Sequence, residues 1–160
     1  MQKYHMRRQD REITDQNEIR EIITQGKFAV IALCFENEPY IVTLSYGYDQ
    51  EKNVLYFHAS SIGLKLEFIR KNPKVCVTII DDQGYIMDEC EHAYRTIVIN
   101  GEIHIVEQLE EKKHGLNVML NHLENKPEMM KEKVIKSDEA YKNVAVLKLD
   151  ILSISGKKGR

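Results

Sequence analysis

From residue 28 onward, apolar and polar positions alternate with a period of two more often than with a helical one. FAVIALCF (28–35) is a continuous apolar run and reads as a buried strand, ENEP (36–39) is a turn, and YIVTLSYGY (40–48) alternates. That alternation puts Tyr40, Val42, Leu44, Tyr46 and Tyr48 on one face. DQEKN (49–53) is a second turn before VLYFHA (54–59). Neither connection can carry a crossover helix, so these strands form an antiparallel meander. Strand character returns at VCVTII (75–80), weakly near 84–90, and strongly at YRTIVINGEIHIV (94–106), where Gly101 marks a bulge or tight bend. NVAVLKLDILSI (143–154) is the last strand.

Helical spacing appears in three places. Ile19, Ile22 and Ile23 define a helix to Gln25, capped by Thr14 or Asp15 and ended by Gly26. Ile62, Leu66 and Ile69 give a short helix over 62–71, stopped before Asn72-Pro73. Leu109, Leu116, Leu120 and Leu123 form the inner side of a helix over 109–124, and 125–142 is a polar, partly helical connection. Residues 1–13 read as a polar arm and 155–160 as a mobile, basic tail. The expectation is an α+β domain over residues 1–160, a mainly antiparallel six-stranded barrel flanked by two or three helices.

A chain of 160 residues with 42% apolar and 30% charged positions supports one sizeable core. The formal charge of −2, from 23 basic and 25 acidic side chains, supplies no broad positive field for nucleic acid. Cys34, Cys76 and Cys90 are odd in number and contain no C-x-x-C pair, which suits a reducing compartment; Cys34 and Cys76 read as buried small hydrophobes. The first residues are charged and no run reaches membrane-spanning length, so a cytoplasmic protein is expected.

Dinucleotide-binding, P-loop, zincin and nucleophile-elbow motifs are absent. Cys90 and His92 form a C-x-H pair without further ligands nearby in sequence, so a turn cysteine and an exposed histidine are expected rather than zinc. The richest stretch is YFHASSIGLKL (56–66). A strand ends near His58, Ser60 and Ser61 follow, and Lys65 sits in the first turn of a helix, an arrangement suited to a phosphate; a capped helix with a solvated lysine is the alternative. Arg95 precedes an apolar alternation, where a guanidinium either leaves the sheet for solvent or finds a partner for its donors, an anion or a rim glutamate. The aromatic cluster Tyr40, Tyr46, Tyr48, Tyr56 and Phe57 offers ring surface, as a plain core or subunit interface would also do.

Taken together, MRRQDREI (6–13), GKFAVIAL (26–33), PYIVTLSYGY (39–48), LYFHASSIGLKL (55–66), NPKVC (72–76), CEHAYRTIV (90–98) and NGE (100–102) resemble the FMN-binding split-barrel family related to pyridoxamine 5′-phosphate oxidase. The closer likeness is to its 5-nitroimidazole antibiotic resistance branch. The resemblance implies a homodimer with FMN in clefts between subunits. It matches Ser60, Ser61, Lys65 and Arg95 to the phosphate, and Val42, Thr43, Leu44 and Ser45 to the ring. Thr96 stands where the branch often has serine, and His58 matches a histidine near flavin and substrate, the one catalytic candidate.

Three functions compete at this point. The first is an FMN-dependent oxidoreductase acting on a small molecule, such as a nitroaromatic compound, with a nicotinamide electron donor. The second is a flavin-binding module without turnover. The third is a haem protein using His58, His92 or His114 as axial ligand.

Overall fold

The period-two segments pair into one antiparallel sheet. The computed structural model describes residues 6–134, 139, 141 and 144–159. Its strands are β1 (Glu12–Ile13), β2 (Phe28–Phe35), β3 (Glu38–Asp49), β4 (Val54–Ser60), β5 (Lys74–Ile86), β6 (Glu91–Ile105) and β7 (Val144–Lys158). Its helices are α1 (Gln16–Gln25), α2 (Leu64–Lys71), α3 (Leu109–Leu123) and α4 (Pro127–Val134). The strand order is β1-β7-β4-β3-β2-β5-β6, and β6 also pairs with β7, so β2 to β7 close into a ring of six. This is the expected split barrel, with four α-helices among the described residues rather than two or three.

Local chemistry explains the main joints. Glu36 and Asn37 both have positive φ, 50° and 65°, and form the two-residue turn whose twist suits a hairpin. The β2–β3 ladder therefore runs unbroken from Phe35↔Glu38 to Phe28↔Ser45. Asp15 caps α1 by accepting the Asn17 N–H at 2.8 Å. The β6–β7 register slips at Gly101: Asn100 faces Ser153 and Gly101 faces Ile151, which leaves Leu152 as the extra residue of the expected bulge.

The barrel interior is filled by alternate residues of every strand, with Tyr46, Phe57, Ile31, Leu33, Ile97 and Ile99 essentially inaccessible. The Tyr40, Val42, Leu44, Tyr46, Tyr48 face points into this core as read. A second, smaller cluster of Val54, Tyr56, Val106, Met119 and Val146 lies under α3. That helix sits unusually close to the sheet through two glycines. A Cβ on Gly47 would lie 2.5 Å from the Met119 Cα, and one on Gly115 would meet the Tyr56 ring at 2.7 Å.

Several expectations need correction. The FAVIALCF run is buried on one face only: Ala29, Ile31 and Leu33 point inward, while Ala32 and Cys34 are exposed and Phe28 is 53% exposed. Cys76 is exposed for the same reason, because it pairs with Ala32 on the outer face. The segment 84–90 is not a separate strand but the tip of the β5–β6 hairpin, where Tyr85↔His92 and Ile86↔Glu91 still pair. The mobile tail is not observed for residues 155–159. Lys157 and Gly156 pair with Glu12 and Ile13, Lys158 pairs with Arg95, and the Gly159 N–H donates to the Tyr94 carbonyl; Arg160 lies outside the described residues. The N-terminal arm likewise ends in a 3₁₀ turn at Gln9–Arg11 and the β1 pairing, residues 1–5 lying outside the described residues. On α3 the deepest positions are Gly115 and Met119 rather than the leucines. The connection 125–142 contains α4, with 135–138, 140 and 142 outside the described residues.

Two checks follow from how α3 is held. Gly47→Ala forces a methyl into helix backbone that cannot yield, so denaturant unfolding should show a loss of about 1–3 kcal/mol. His122, half-way into the protein on α3, donates from Nε2 to the Gly26 carbonyl at 2.6 Å, and burial pulls its pKa below the ordinary 6.5. The unfolded chain takes up that proton more readily, so stability is complete above 6.5 and declines as pH falls from there through the folded-state value. Denaturation midpoints measured at about pH 7.5 and pH 5 should differ in that direction, and less so in His122→Gln.

Candidate functional site

The six-stranded ring opens between β3 and β4 partway along the two strands. β3 and β4 pair from Asp49↔Val54 to Tyr46↔Phe57, and there the ladder stops. Continued in register, Ser45 would face His58, Leu44 would face Ala59, Thr43 would face Ser60 and Val42 would face Ser61. There His58, Ala59 and Ser60 keep only the ladder on their other edge, to Val146, Ala145 and Val144 of β7, and β3 over 42–45 keeps only its ladder to β2. Among the described residues, the edge of β3 that turns toward β4 has no strand partner at these four positions. An open edge presents unpaired backbone N–H and C=O groups.

The seam's apex is anchored firmly. Tyr46 and Phe57 are fully buried with ring centroids 6.3 Å apart, and the Tyr46 hydroxyl donates to the Ile23 carbonyl at 2.5 Å. Burial raises the Tyr46 pKa well above the ordinary tyrosine value, so the hydroxyl stays a donor. Beyond the apex lies a cleft of about 510 Å³. Thr43, Leu44, Ser45 and His58 form its floor, with Val144 at one side. Its roof is apolar: Leu116, Met119, Leu120 and Leu123 of α3, then Val134 and Tyr141.

From the seam, β4 leads into α2. Ser60 Oγ accepts the Ile62 N–H at 3.4 Å, and Gly63, at φ 136°, caps the helix without a side-chain oxygen. A Cβ on Gly63 would meet only the Lys65 Nζ, at 3.8 Å, so the ammonium is folded over the helix start. Hydroxyls, first-turn N–H groups and one positive charge thus converge there.

Arg95 and Thr96 lie elsewhere in the same chain. Ser60 pairs with Val144 and Arg95 with Lys158, fourteen positions further along β7, roughly 45 Å of extended strand. Arg95 is 17% exposed, its Nη1 donating to Glu21 at 2.9 Å and its Nε to Asp81 at 2.8 Å. The bonds to Glu21 and Asp81 raise its pKa above the ordinary value. Thr96 Oγ1 donates to the Ile79 carbonyl at 3.1 Å and lies 3.0 Å from Thr78 Oγ1.

Of the three histidines considered as axial ligands, His58 lines the cleft. His92 is bonded to Asp82 at 2.7 Å on the β5–β6 hairpin, and His114 to Asp49 at 2.6 Å on the other side of α3. Burial disfavours the Asp49 carboxylate, yet the bonds from His114 and the Lys52 N–H outweigh it and the pKa is lowered. Cys90 occupies a turn at φ 51°. Among the described residues, no group of three or more His, Cys, Asp or Glu could hold a metal ion. No described helix is long and apolar enough to cross a membrane.

The roof was only partly legible. Leu116, Leu120 and Leu123 were read as an inner helix face, but Val134 and Tyr141 fell in a stretch read as polar.

The model of the family described as pyridoxamine 5′-phosphate oxidase matches residues 15–158. The chain belongs to that family. Within it, the structure is similar to a proposed 5-nitroimidazole antibiotic resistance protein from Bacteroides thetaiotaomicron, with 27% identity and a TM-score of 0.75 over 92% of this chain and 86% of that one. A FAD-binding protein from Mesorhizobium loti shares the fold at 21% identity and a TM-score of 0.68, over 94% of this chain and 96% of that one. The FAD and haem binding protein from Mycobacterium smegmatis does so at 15% identity and 0.77, over 94% and 74%. An uncharacterized protein of Rhizobium meliloti is 32% identical over 69 residues, 43% of this chain and 44% of that protein, so the match spans less than half of that relative. The pyridoxamine 5′-phosphate oxidase family is thus the one its motifs resembled.

Proposed function

We propose that the chain is an FMN-binding oxidoreductase of the 5-nitroimidazole resistance type, with the flavin in the β3–β4 seam. One observation carries this reading: the β3–β4 ladder stops at Tyr46↔Phe57, and beyond it Thr43, Leu44 and Ser45 of one strand and His58 of the other line one cleft, beside the start of α2. Two motifs distant in sequence are the two sides of one slot. The open β3 edge suits the polar rim of a flavin ring, and the α2 start with Ser60, Ser61 and Lys65 suits a phosphate dianion.

When bound, FMN supplies hydride and electron transfer. The chain's own residues bind and orient. Thr43 and Ser45 offer hydroxyls and backbone groups along the ring's edge, the α3 roof excludes water, and the His58 imidazole, exposed at the seam, holds or donates a proton beside the substrate. This division of labour suits a sequence with no nucleophile and base pair. The electron donor in this reading is a nicotinamide and the acceptor a nitroaromatic compound; in the haem reading, His58 is the axial candidate placed on the cleft.

The working unit in this reading is a homodimer. Phe28 at 53%, Ile41 at 64% and Ile80 at 50% exposure put large apolar side chains on the outer faces of β2, β3 and β5. A second copy is also the way Arg95 and Thr96 reach the phosphate, since within one chain they lie at the far end of β7.

If Lys65 touches the phosphate, it contributes about 1.5 to 3 kcal/mol, and Lys65→Ala weakens FMN binding about tenfold to a hundredfold. Riboflavin, which keeps the ring and lacks the phosphate, should bind the variant as it binds the original chain. Equal losses for both ligands, or none, would reject the assignment. The spectrum of the protein as purified separates the cofactors: flavin bands support the proposal, and a haem Soret band without them overturns it.

A further inference from the structure

We infer that Lys112 makes the β7 side of the cleft a site for an anionic group, a phosphate or a carboxylate, held between α3 and the outer end of β4. The inference rests on placing the flavin in the seam and adds a cation that no sequence motif marks. Lys112 stands four residues before Leu116 and eight before Leu120, so its side chain continues the roof stripe by one helical turn. Its Nζ donates to the Val144 carbonyl at 3.3 Å, and Val144 lines the cleft. Val144 is the strand partner of Ser60, about 5 Å away across the ladder. Residues alternate along β4: Leu55, Phe57 and Ala59 belong to the barrel core, and Tyr56 to the cluster under α3. His58 and Ser60 therefore point to the same face as Tyr56, the face that α3 covers. An imidazole, a hydroxyl and an ammonium are thereby gathered along one side of the cleft.

Lys112 differs from the basic side chains around it in its partner. Lys113, over the Tyr141 ring at 5.8 Å, bonds Glu110 at 3.1 Å. Lys148 lies 3.5 Å from Glu111 and 3.4 Å from Asp150, and His114 bonds Asp49 at 2.6 Å. Each of these has a carboxylate. Among the described residues, Lys112 has the Val144 carbonyl, a neutral acceptor, for an ammonium with three donors. A half-buried cation without a counter-charge is stabilised by an anion that reaches it, through a charge-assisted bond. Its flexible four-carbon stem lets the ammonium turn from the carbonyl to an anion resting on the Ser60 hydroxyl. Two sources offer one: the flavin's own phosphate, whose proposed ligands begin at Ser60, and the phosphate or carboxylate of the second molecule bound over the ring. Both ask the same of Lys112, a positive charge opposite Ser60.

Lys112→Met keeps a long apolar side chain and removes the charge, whereas Lys112→Arg keeps the charge. Each chain is titrated with FMN and with riboflavin and then, loaded with flavin, with 4-nitrobenzoate and with nitrobenzene, read by the change in cofactor absorbance. An FMN affinity about tenfold weaker in Lys112→Met, with riboflavin unchanged, supports the inference and identifies the cofactor phosphate as the anion. A similar loss for 4-nitrobenzoate, with nitrobenzene and FMN unchanged, supports it and assigns the anion to the second ligand. Lys112→Arg should restore either affinity to within about threefold. Equal losses for the charged and uncharged members of both pairs mean that Lys112 only ties α3 to β7 and overturn the inference, as does no loss for any ligand. Neither result touches the cofactor reading, which is tested at Lys65. If the unaltered chain binds no flavin, that reading fails, and inorganic phosphate titrated by calorimetry decides the inference. Phosphate affinity that falls in Lys112→Met supports it, and phosphate binding that is absent or unchanged overturns it.

Discussion

The separation of β3 from β4 beyond Tyr46↔Phe57 is the constraint on which everything else depends. Above that point each strand keeps a single neighbour, β2 for one and β7 for the other, and the twist of the two half-sheets carries them apart. The parting is fixed by its surroundings. Tyr46 is tied to the end of α1 through the Ile23 carbonyl, and Gly47, the next residue, lets the backbone of α3 rest directly on the sheet. A side chain at that glycine would lift the roof, and a different residue at 46 would loosen the hinge on which the seam opens. One short stretch, Tyr46-Gly47, therefore sets both the floor and the roof of the cleft.

Charge is distributed in keeping with that geometry. Among the described residues, the cleft is lined by apolar side chains, a few hydroxyls and one imidazole, and Lys65 and Arg95 stand outside this lining. Lys65 covers the start of α2, while Arg95 sits at the far end of the sheet between Glu21 and Asp81. An arginine held by two carboxylates has a fixed orientation, with part of its donor fork still available to an anion. In the isolated chain this is a structural clamp joining α1 to the β5–β6 hairpin. Against a second copy, the same clamp would hold a guanidinium ready at the rim of the partner's seam.

Much of the scaffold was legible from residue pattern. The meander of β2, β3 and β4 follows from alternation and turn residues, α1 from its isoleucines and Asp15, and the β6–β7 bulge from a glycine in an apolar run. Other features had no signal of that kind. A continuous apolar stretch such as FAVIALCF hides which residues face outward, so Cys34 and Cys76 were misread. Within 84–90, Tyr85 and Ile86 stay extended because His92 and Glu91 across the hairpin hold them, while 87–90 form the turn, with Asp88 and Cys90 at positive φ. The tail was misread because Gly156 reads as flexible, whereas here it is the residue that lets the sheet close on Ile13, where a Cβ would stand 2.8 Å from that side chain's Cβ. At the site, motifs led to each side of the seam separately. Their register across it depends on where a ladder stops, a property of the assembled sheet.

The most direct measurement mixes two damaged chains. If each phosphate is held by Lys65 of one subunit and Arg95 of the other, dimers of Lys65→Ala and dimers of Arg95→Ala both bind FMN weakly. A hybrid dimer made from the two regains one intact site, because the chain lacking Lys65 still carries Arg95 and the reverse. The account predicts about one tightly bound FMN per hybrid dimer by equilibrium titration. Hybrid dimers that bind no better than either parent, or Arg95→Ala dimers that bind FMN as the unaltered chain does, would contradict it.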